Sequence, residues 1–202
     1  MANLRIGIPS KGRLAEKAEE LLNLAGFKFR RQNRSLFAKV RDADIEITFL
    51  RSDDIPILCA ESAIDMGITG SDLVEEADVD VEQRLGLGIG RCRLGLCVPE
   101  DTEFDHPGQL NGKRIATSFP VVTRNYLDRH DAQAHLVNLT GSVEVMVSLG
   151  IADAIVDLVE TGSTLAANRL KMVAEIGEYE TVLIQNRAGN HSELADQVVR
   201  RL

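Results

Sequence analysis

The sequence predicts an α/β protein of two lobes built on mixed, mostly parallel sheets. Short apolar runs alternate with segments whose apolar residues recur at helical spacing, the pattern of strand–helix layers. A length of 202 residues allows one large domain or two small ones. A glycine-rich run at Gly86–Gly90 punctuates the middle of the chain, and the last strand-like segment reads as a return to the first lobe. On this reading lobe I is 1–91 plus 178–202, and lobe II is 92–177.

The elements follow in order. Leu4–Ile8 is an apolar run that ends at Pro9-Ser10-Lys11-Gly12. Leu14, Ala18, Leu21, Leu22 and Ala25 then recur at helical spacing until Gly26 stops them. Leu36–Val40 and Ile45–Leu50 form a strand pair around a polar turn at Arg41–Asp44. Pro56 suits the first turn of the next helix. Met66–Thr69 is a further strand, and Ser71-Asp72 caps a short helix. Gly86–Gly90 lacks the G-x-G-x-x-G spacing of a dinucleotide loop, because position 91 is Arg, so it reads as a bend at the crossing between lobes. Lobe II then predicts strands at Arg93–Val98, Arg114–Thr117, His135–Leu139 and Ala154–Val159. Helices are expected at Val121–Arg129, Val143–Leu149 and from Thr164. Lys171–Gln185 reads as strand, turn, strand. Leu194, Val198, Val199 and Leu202 give a terminal amphipathic helix.

Composition excludes several classes. A 44% hydrophobic fraction supports an ordinary core and rules out disorder, collagen and coiled coil. No run approaches the ~18 apolar residues of a membrane span. The N-terminus enters a strand at once, with no export-signal pattern, which predicts a cytoplasmic protein. A net charge of −8 and 4% aromatic residues argue against nucleic-acid binding. They leave room for a small polyanion, because binding answers to the local field. Cys59, Cys92 and Cys97 are scattered, as buried small hydrophobes are, and fit neither a disulfide framework nor a zinc site. His106, His130, His135 and His191 fall in no metal-ligand spacing, and the glycosylation sequons at Asn33, Asn138 and Asn190 carry no weight in a cytoplasmic chain.

The chemistry concentrates in Ala152–Leu165. An apolar strand delivers acidic side chains toward its C-terminal edge, where α/β sheets bind ligands. A Thr161-Gly162-Ser163-Thr164 turn then opens a helix, exposing backbone N–H groups and hydroxyls that suit a phosphate. Asp157 is placed to accept hydrogen bonds from a vicinal diol, and phosphate beside diol means a ribose phosphate. An ordinary strand–turn–helix with Ser/Thr capping would look the same. Lys11 and Arg13 follow the first strand, and Arg51 follows Ile45–Leu50. Each alone is a solvated loop cation; together they suggest a polyphosphate site. Gly141-Ser142-Val143-Glu144 makes a second helix-entry turn. No Walker A loop, G-x-S-x-G elbow or H-E-x-x-H helix occurs, so the inventory points to group transfer between bound substrates.

These residues resemble a known family. Ser10–Leu14, Leu50–Pro56, Asp65–Gly70, Cys92–Leu94, Leu110–Thr117, Gly141–Glu144 and Asp153–Asn168 run in the order of the short form of ATP phosphoribosyltransferase. The resemblance implies a fold similar to type II periplasmic binding proteins, with the active site in the interlobe cleft. It also implies transfer of phosphoribosyl from phosphoribosyl pyrophosphate to N1 of the ATP adenine, releasing pyrophosphate, with Mg²⁺ carried by the pyrophosphate groups. Carried over by position, Asp153, Asp157, Glu160, Thr161, Gly162, Ser163 and Thr164 bind phosphoribosyl pyrophosphate. Lys11, Arg13, Arg51, Arg93, Ser142 and Glu144 face ATP and pyrophosphate, and Arg51, Arg34 and Lys11 are the catalytic cations. One departure is Asn168-Arg169-Leu170, where the family has Asn-Gly-Leu; a left-handed residue there is costlier for Arg. The resemblance further implies a homodimer joined to a regulatory subunit related to histidyl-tRNA synthetase in a hetero-octamer, with no regulatory domain on this chain. Two other readings fit parts of the pattern. A purine or pyrimidine phosphoribosyltransferase shares the acidic strand and Thr-Gly turn, and a solute-binding protein shares the two-lobed fold.

Overall fold

A computed structural model describes residues 4–32, 35–188 and 193–202. Arg34, His191 and the sequons at Asn33 and Asn190 lie outside them. The chain divides into two units, Met1–Gly90 with Glu180–Leu202, and Arg91–Tyr179. The crossings therefore follow Gly90 and Tyr179, where 91 and 177 were expected. Gly88 and Gly90 both take left-handed φ of 66° just ahead of the first crossing.

The first unit holds β1 (Leu4–Pro9), α1 (Arg13–Leu24), β2 (Phe37–Lys39), β3 (Ile45–Leu50), α2 (Asp54–Ala60), β4 (Met66–Gly70), α3 (Ser71–Ala77) and β5 (Val81–Gly86). The returning chain adds β11 (Thr181–Asn186) and α7 (Glu193–Arg201). The sheet order is β2-β3-β1-β4-β11-β5. β1 runs parallel to β3 and β4, while β11 enters antiparallel between β4 and β5. Alternation places Ile6, Ile8, Ile47, Phe49 and Ile68 in one core with Ala18 and Leu22 of α1 and Ala195 and Val198 of α7. On the other face Ile55 and Cys59 of α2 pack with Ile64, Val182 and Ile184. A Cβ at Gly7 or Gly67 would overlap Ile64 or Ile55, so the glycines let the helix layer approach the sheet. β5 was not expected. Its sequence, Val-Glu-Gln-Arg-Leu-Gly, is polar because it is an edge strand paired on one side only.

The second unit holds β6 (Cys92–Pro99), β7 (Arg114–Thr117), α4 (Pro120–Arg129), β8 (His135–Asn138), α5 (Val145–Ser148), β9 (Ala154–Val159), α6 (Ser163–Ala167) and β10 (Leu170–Tyr179). Its sheet order is β10-β6-β9-β7-β8. β7, β8 and β9 are parallel; β6 is antiparallel to β9, and β10 to β6. Both sheets are thus mixed, in agreement with the expected α/β class, although parallel pairings do not predominate as expected, because β2, β11, β6 and β10 all pair antiparallel. Helix α5 is shorter than the expected Val143–Leu149. Ser142 takes φ 54° and Val143 is buried in the core under β9, so the chain turns helical only after them. Arg169 takes the left-handed φ of 54° that the end of α6 requires, despite its side chain.

Candidate active site

The parallel direction of β7, β8 and β9 brings the turns that follow them to one edge of the second sheet. Alternation along β9 puts Ile155, Asp157 and Val159 on the same face, where Ile155 and Val159 join an apolar core with Cys97, Val143 and Leu165. Asp157 is the polar interruption of that face. Burial pushes its carboxyl above the ordinary carboxylate range; an N–H···O bond from Leu158 to Oδ1 (2.8 Å) opposes the shift, and the Glu144 charge adds to it. An acidic group on β9 and another on the turn after β8 therefore share one neighbourhood. Beyond Val159 the chain passes Glu160 and turns at Gly162 with φ 78° and ψ 1°. Thr161 Oγ1 and Ser163 Oγ lie 3.0 Å apart, both exposed. The first backbone bond of α6 runs from the Ala166 N–H to the Gly162 carbonyl, so the N–H groups ahead of it have no intrahelical partner. With five residues, α6 has little macrodipole of its own; the donors of the turn carry its anion-binding capacity.

Arg93 belongs to this edge, because the antiparallel register sets it opposite Val159 and sets Gly95 opposite Asp157. Its guanidinium is held 3.5 Å from Glu175. Ser142 and Glu144 sit on the turn after β8. Asp153 does not join them. It precedes β9, roughly 20 Å of extended chain from Glu160 at ~3.3 Å per residue. There its Oδ2 accepts the Arg114 backbone N–H (2.8 Å) and pairs with the Arg114 side chain, which also donates to the Gly150 carbonyl. Those bonds hold the Asp153 carboxyl below its ordinary range. A cavity of about 650 Å³, lined in part by Phe104, Lys113, Arg114 and Asp153, lies at this opposite end. Asp153 is thus a clasp between β7 and β9, at the end of the strand away from the Thr161–Ser163 turn.

In the first unit, the parallel strands β1, β3 and β4 likewise end at one edge. Lys11, Arg13 and Arg51 stand there on the turns after β1 and β3, all exposed. Gly12 has φ 85° and ψ 177°, a conformation nearly confined to glycine, and its carbonyl accepts the Ala15 N–H to start α1. The Arg51 turn is fixed by Thr69, whose buried hydroxyl donates to the Ser52 carbonyl (2.9 Å). Lys11 and Arg51 form no ion pair with any described residue. The thiols of Cys59 and Cys97 are both pushed up to about 12 by burial, so neither is a ready nucleophile.

A family model described as ATP phosphoribosyltransferase (HisG) matches residues 51–202. The chain belongs to the ATP phosphoribosyltransferase family. It is 66% identical over 199 residues to the ATP phosphoribosyltransferase of Rhodopirellula baltica, covering 98% of this chain and 67% of that protein. The chain spans about two thirds of the length of the curated relatives it matches. Among solved structures, the ATP phosphoribosyl transferase (HisG:HisZ) complex from Thermotoga maritima superposes with a TM-score of 0.85 at 29% identity, covering 98% of each chain. The arginine-bound form of truncated ArgBP from T. maritima, 13% identical with a TM-score of 0.59 over 99% of this chain and 94% of that one, shares the fold alone. The binding-protein likeness expected from the sequence is therefore present. As a member of the family the chain is a phosphoribosyltransferase, of the glycosyltransferase class, and the family acts at the first step of histidine biosynthesis. One further cation, Arg31, stands at the edge of the first sheet. Its Nη1 donates to the Ser10 carbonyl at 2.7 Å. No periodicity or motif marks it, because its partners come from three separated segments.

Proposed function

We propose that this chain transfers the phosphoribosyl group of phosphoribosyl pyrophosphate to N1 of the ATP adenine. The observation that carries this reading is a half-buried carboxylate, Asp157, directly ahead of the exposed Thr161–Ser163 turn. Asp157 accepts the ribose hydroxyls, and Glu160, Thr161, Gly162, Ser163 and Thr164 hold the 5′-phosphate. Ser142 and Glu144 border the sugar from the neighbouring turn. Lys11, Arg13, Arg51 and Arg93 bind the ATP and pyrophosphate groups.

N1 of adenine attacks the anomeric carbon as the bond to the pyrophosphate oxygen breaks. Positive charge develops on the sugar and negative charge on the departing oxygen. The protein supplies orientation and the stabilising cations Arg51 and Lys11; no covalent intermediate is required. Mg²⁺ would be carried by the pyrophosphate groups of the substrate rather than by a dedicated protein site. Among the described residues no group of three His, Cys, Asp or Glu is placed to hold a metal alone. Mg²⁺ is typically bound through phosphates and one or two carboxylates, a donor set that the substrate together with this edge provides. When bound it neutralises charge on the leaving group.

We further propose that the chain works as the short form of the family, as a homodimer joined to a regulatory subunit related to histidyl-tRNA synthetase in a hetero-octamer. The Thermotoga protein is a HisG:HisZ complex, and Leu36 and Phe37, 58% and 54% exposed at the edge strand β2, give a dimer something to cover. Among the described residues no helix is long and apolar enough to cross a membrane, and the reaction is assigned to the cytoplasm with its phosphorylated substrates. The test is pyrophosphate release from ATP and phosphoribosyl pyrophosphate, with and without the candidate subunit, and with free purines and pyrimidines in place of ATP. Release with ATP alone supports the reading; release only with a free base, or none in any arm, overturns it.

A further inference from the structure

We propose that Arg31 is a positioning residue for phosphoribosyl transfer, acting through the Ser10–Arg13 turn. The inference rests on the reading of Lys11 and Arg13 as substrate-binding cations. Three segments that the fold brings to one edge meet on the Arg31 guanidinium. Nη1 donates to the Ser10 carbonyl (2.7 Å), Nε donates to the Ser35 carbonyl (3.2 Å), and the plane lies over the Phe49 ring, 4.2 Å from its centroid. Phe49 is 2% exposed in the core and is itself braced by Phe29, with ring centroids 6.3 Å apart. It stands two residues ahead of Arg51. The guanidinium thus ties the turn after β1, the lead-in to β2 and the end of β3 to one rigid ring.

The Ser10 backbone is held at both its N–H and its C=O. Its N–H donates to the Leu50 carbonyl (2.6 Å), extending the β1–β3 ladder by one residue, and its C=O accepts from Arg31. Past Gly12 the turn is fixed again by the start of α1. Lys11 rides between these two anchors, and loss of the Arg31 bond frees one of them. A planar fork is needed, because Nε and Nη1 satisfy two carbonyls at once; an ammonium on a flexible stem satisfies one. The choice of residue also points away from a purely structural ion pair. Arg5, Arg84 and Arg114 each meet a carboxylate, whereas Arg31 meets none among the described residues and bonds only to backbone oxygens. Its charge therefore stays at the edge where the polyphosphates bind.

The test compares Arg31→Lys and Arg31→Ala with the wild-type chain in the pyrophosphate-release assay, in the presence of the regulatory subunit. Arg31→Lys keeps the charge and the aliphatic stem over Phe49 and loses only the fork. A positioning role lowers its kcat about 10- to 100-fold, the scale of a misplacement near 1 Å, with KM for both substrates within about threefold. Added guanidinium then restores part of the kcat of Arg31→Ala and leaves the wild type unchanged. Thermal unfolding above the assay temperature shows that both variants are folded. An Arg31→Lys kcat within twofold of wild type overturns the positioning role. A loss of kcat matched by unfolding at the assay temperature, without guanidinium rescue, overturns it as well, in favour of a structural one. A wild-type chain that releases no pyrophosphate overturns the substrate reading and this inference with it.

Discussion

Asp157→Asn separates function from stability, because the two effects have opposite signs. The carboxyl is raised above its ordinary range chiefly by burial. A raised acid takes up protons more readily in the folded than in the unfolded chain, so its ionisation weakens the fold as pH rises from the unfolded value near ~3.9 through the folded one. The penalty is fully present above the folded value, and below ~pH 4 it is gone. Asparagine removes it while its side-chain oxygen still accepts the Leu158 N–H, a bond of 2.8 Å in the native chain. The variant therefore melts at or above the wild-type temperature at pH 7.5, and the advantage vanishes as pH falls toward 4. Binding moves the other way. A carboxylate accepting two ribose hydroxyls makes charge-assisted bonds of about 1.5–3 kcal/mol each, against about 0.5–1.5 for neutral ones. Asparagine also offers a single acceptor oxygen. The loss is about 2–4 kcal/mol, or roughly 30- to 1000-fold in Kd for phosphoribosyl pyrophosphate. Titration calorimetry and thermal unfolding over a pH series read both. A folded variant whose Kd stays within about threefold refutes the diol role, and a lower melting temperature at pH 7.5 refutes burial as the origin of the shift.

Three further outcomes follow from the same geometry. Glu144→Gln removes one of the causes that raise Asp157, so the acid limb of phosphoribosyl pyrophosphate binding moves to lower pH; a limb that stays put removes Glu144 from the neighbourhood of the site. Arg51→Ala leaves stability within about 0.5 kcal/mol, since the side chain is exposed and forms no ion pair with any described residue. It lowers kcat about 10²- to 10³-fold with little change in KM, as loss of leaving-group stabilisation does; unchanged kcat in steady-state kinetics excludes that role. Asp153→Ala leaves phosphoribosyl pyrophosphate affinity unchanged by calorimetry, because the residue stands at the far end of β9. It lowers stability by about 1 kcal/mol or less, given its exposure. Because the Asp153 carboxyl is held below its ordinary range, the stability it adds is present above ~pH 4 and is lost as pH falls through the folded value.

Where local pattern decides an element, the sequence is a sufficient guide. β1, β3, β9 and α1 follow from apolar runs and helical spacing bounded by turn residues. The turns after β1, β3, β8 and β9 are legible too, because parallel strands send each pair to the C-terminal edge of its own sheet. Legibility ends where pairing between distant segments decides. β5 carries Glu82, Gln83 and Arg84 within six residues and is a strand only because β11, almost a hundred residues later, pairs with it. Asp153 and Asp157 look like one acidic cluster in the sequence, but a strand separates residues four apart by about 13 Å and turns them toward opposite ends of the sheet. Arg31 is invisible for the same reason. Nothing in Arg30-Arg31-Gln32 indicates Ser10, Ser35 and Phe49 until β1, β2 and β3 lie side by side.

The same distinction explains how a chain of net charge −8 can serve two polyanionic substrates. Net charge sums over groups that answer to different neighbours. Arg5, Arg84, Arg114, Arg169 and Arg187 each face a carboxylate within 4 Å, and such pairs contribute little field beyond a Debye length of about 8–10 Å. Lys11, Arg31 and Arg51 have no such partner among the described residues, and all three stand at or against the C-terminal edge of the first sheet. Cations without a carboxylate partner occur elsewhere on the chain too, but these three stand together where parallel strands of one sheet end. Arg93 is the intermediate case. It sits on the phosphoribosyl edge of the second sheet, but Glu175 holds it at 3.5 Å with both side chains about 40% exposed. An incoming phosphate competes with Glu175 for that guanidinium on nearly equal terms, since an exposed pair is worth about 1 kcal/mol or less. On the proposed reading of the site, Arg93 is thus a cation held in reserve until substrate arrives, whereas Lys11 and Arg51 present their charge before it does.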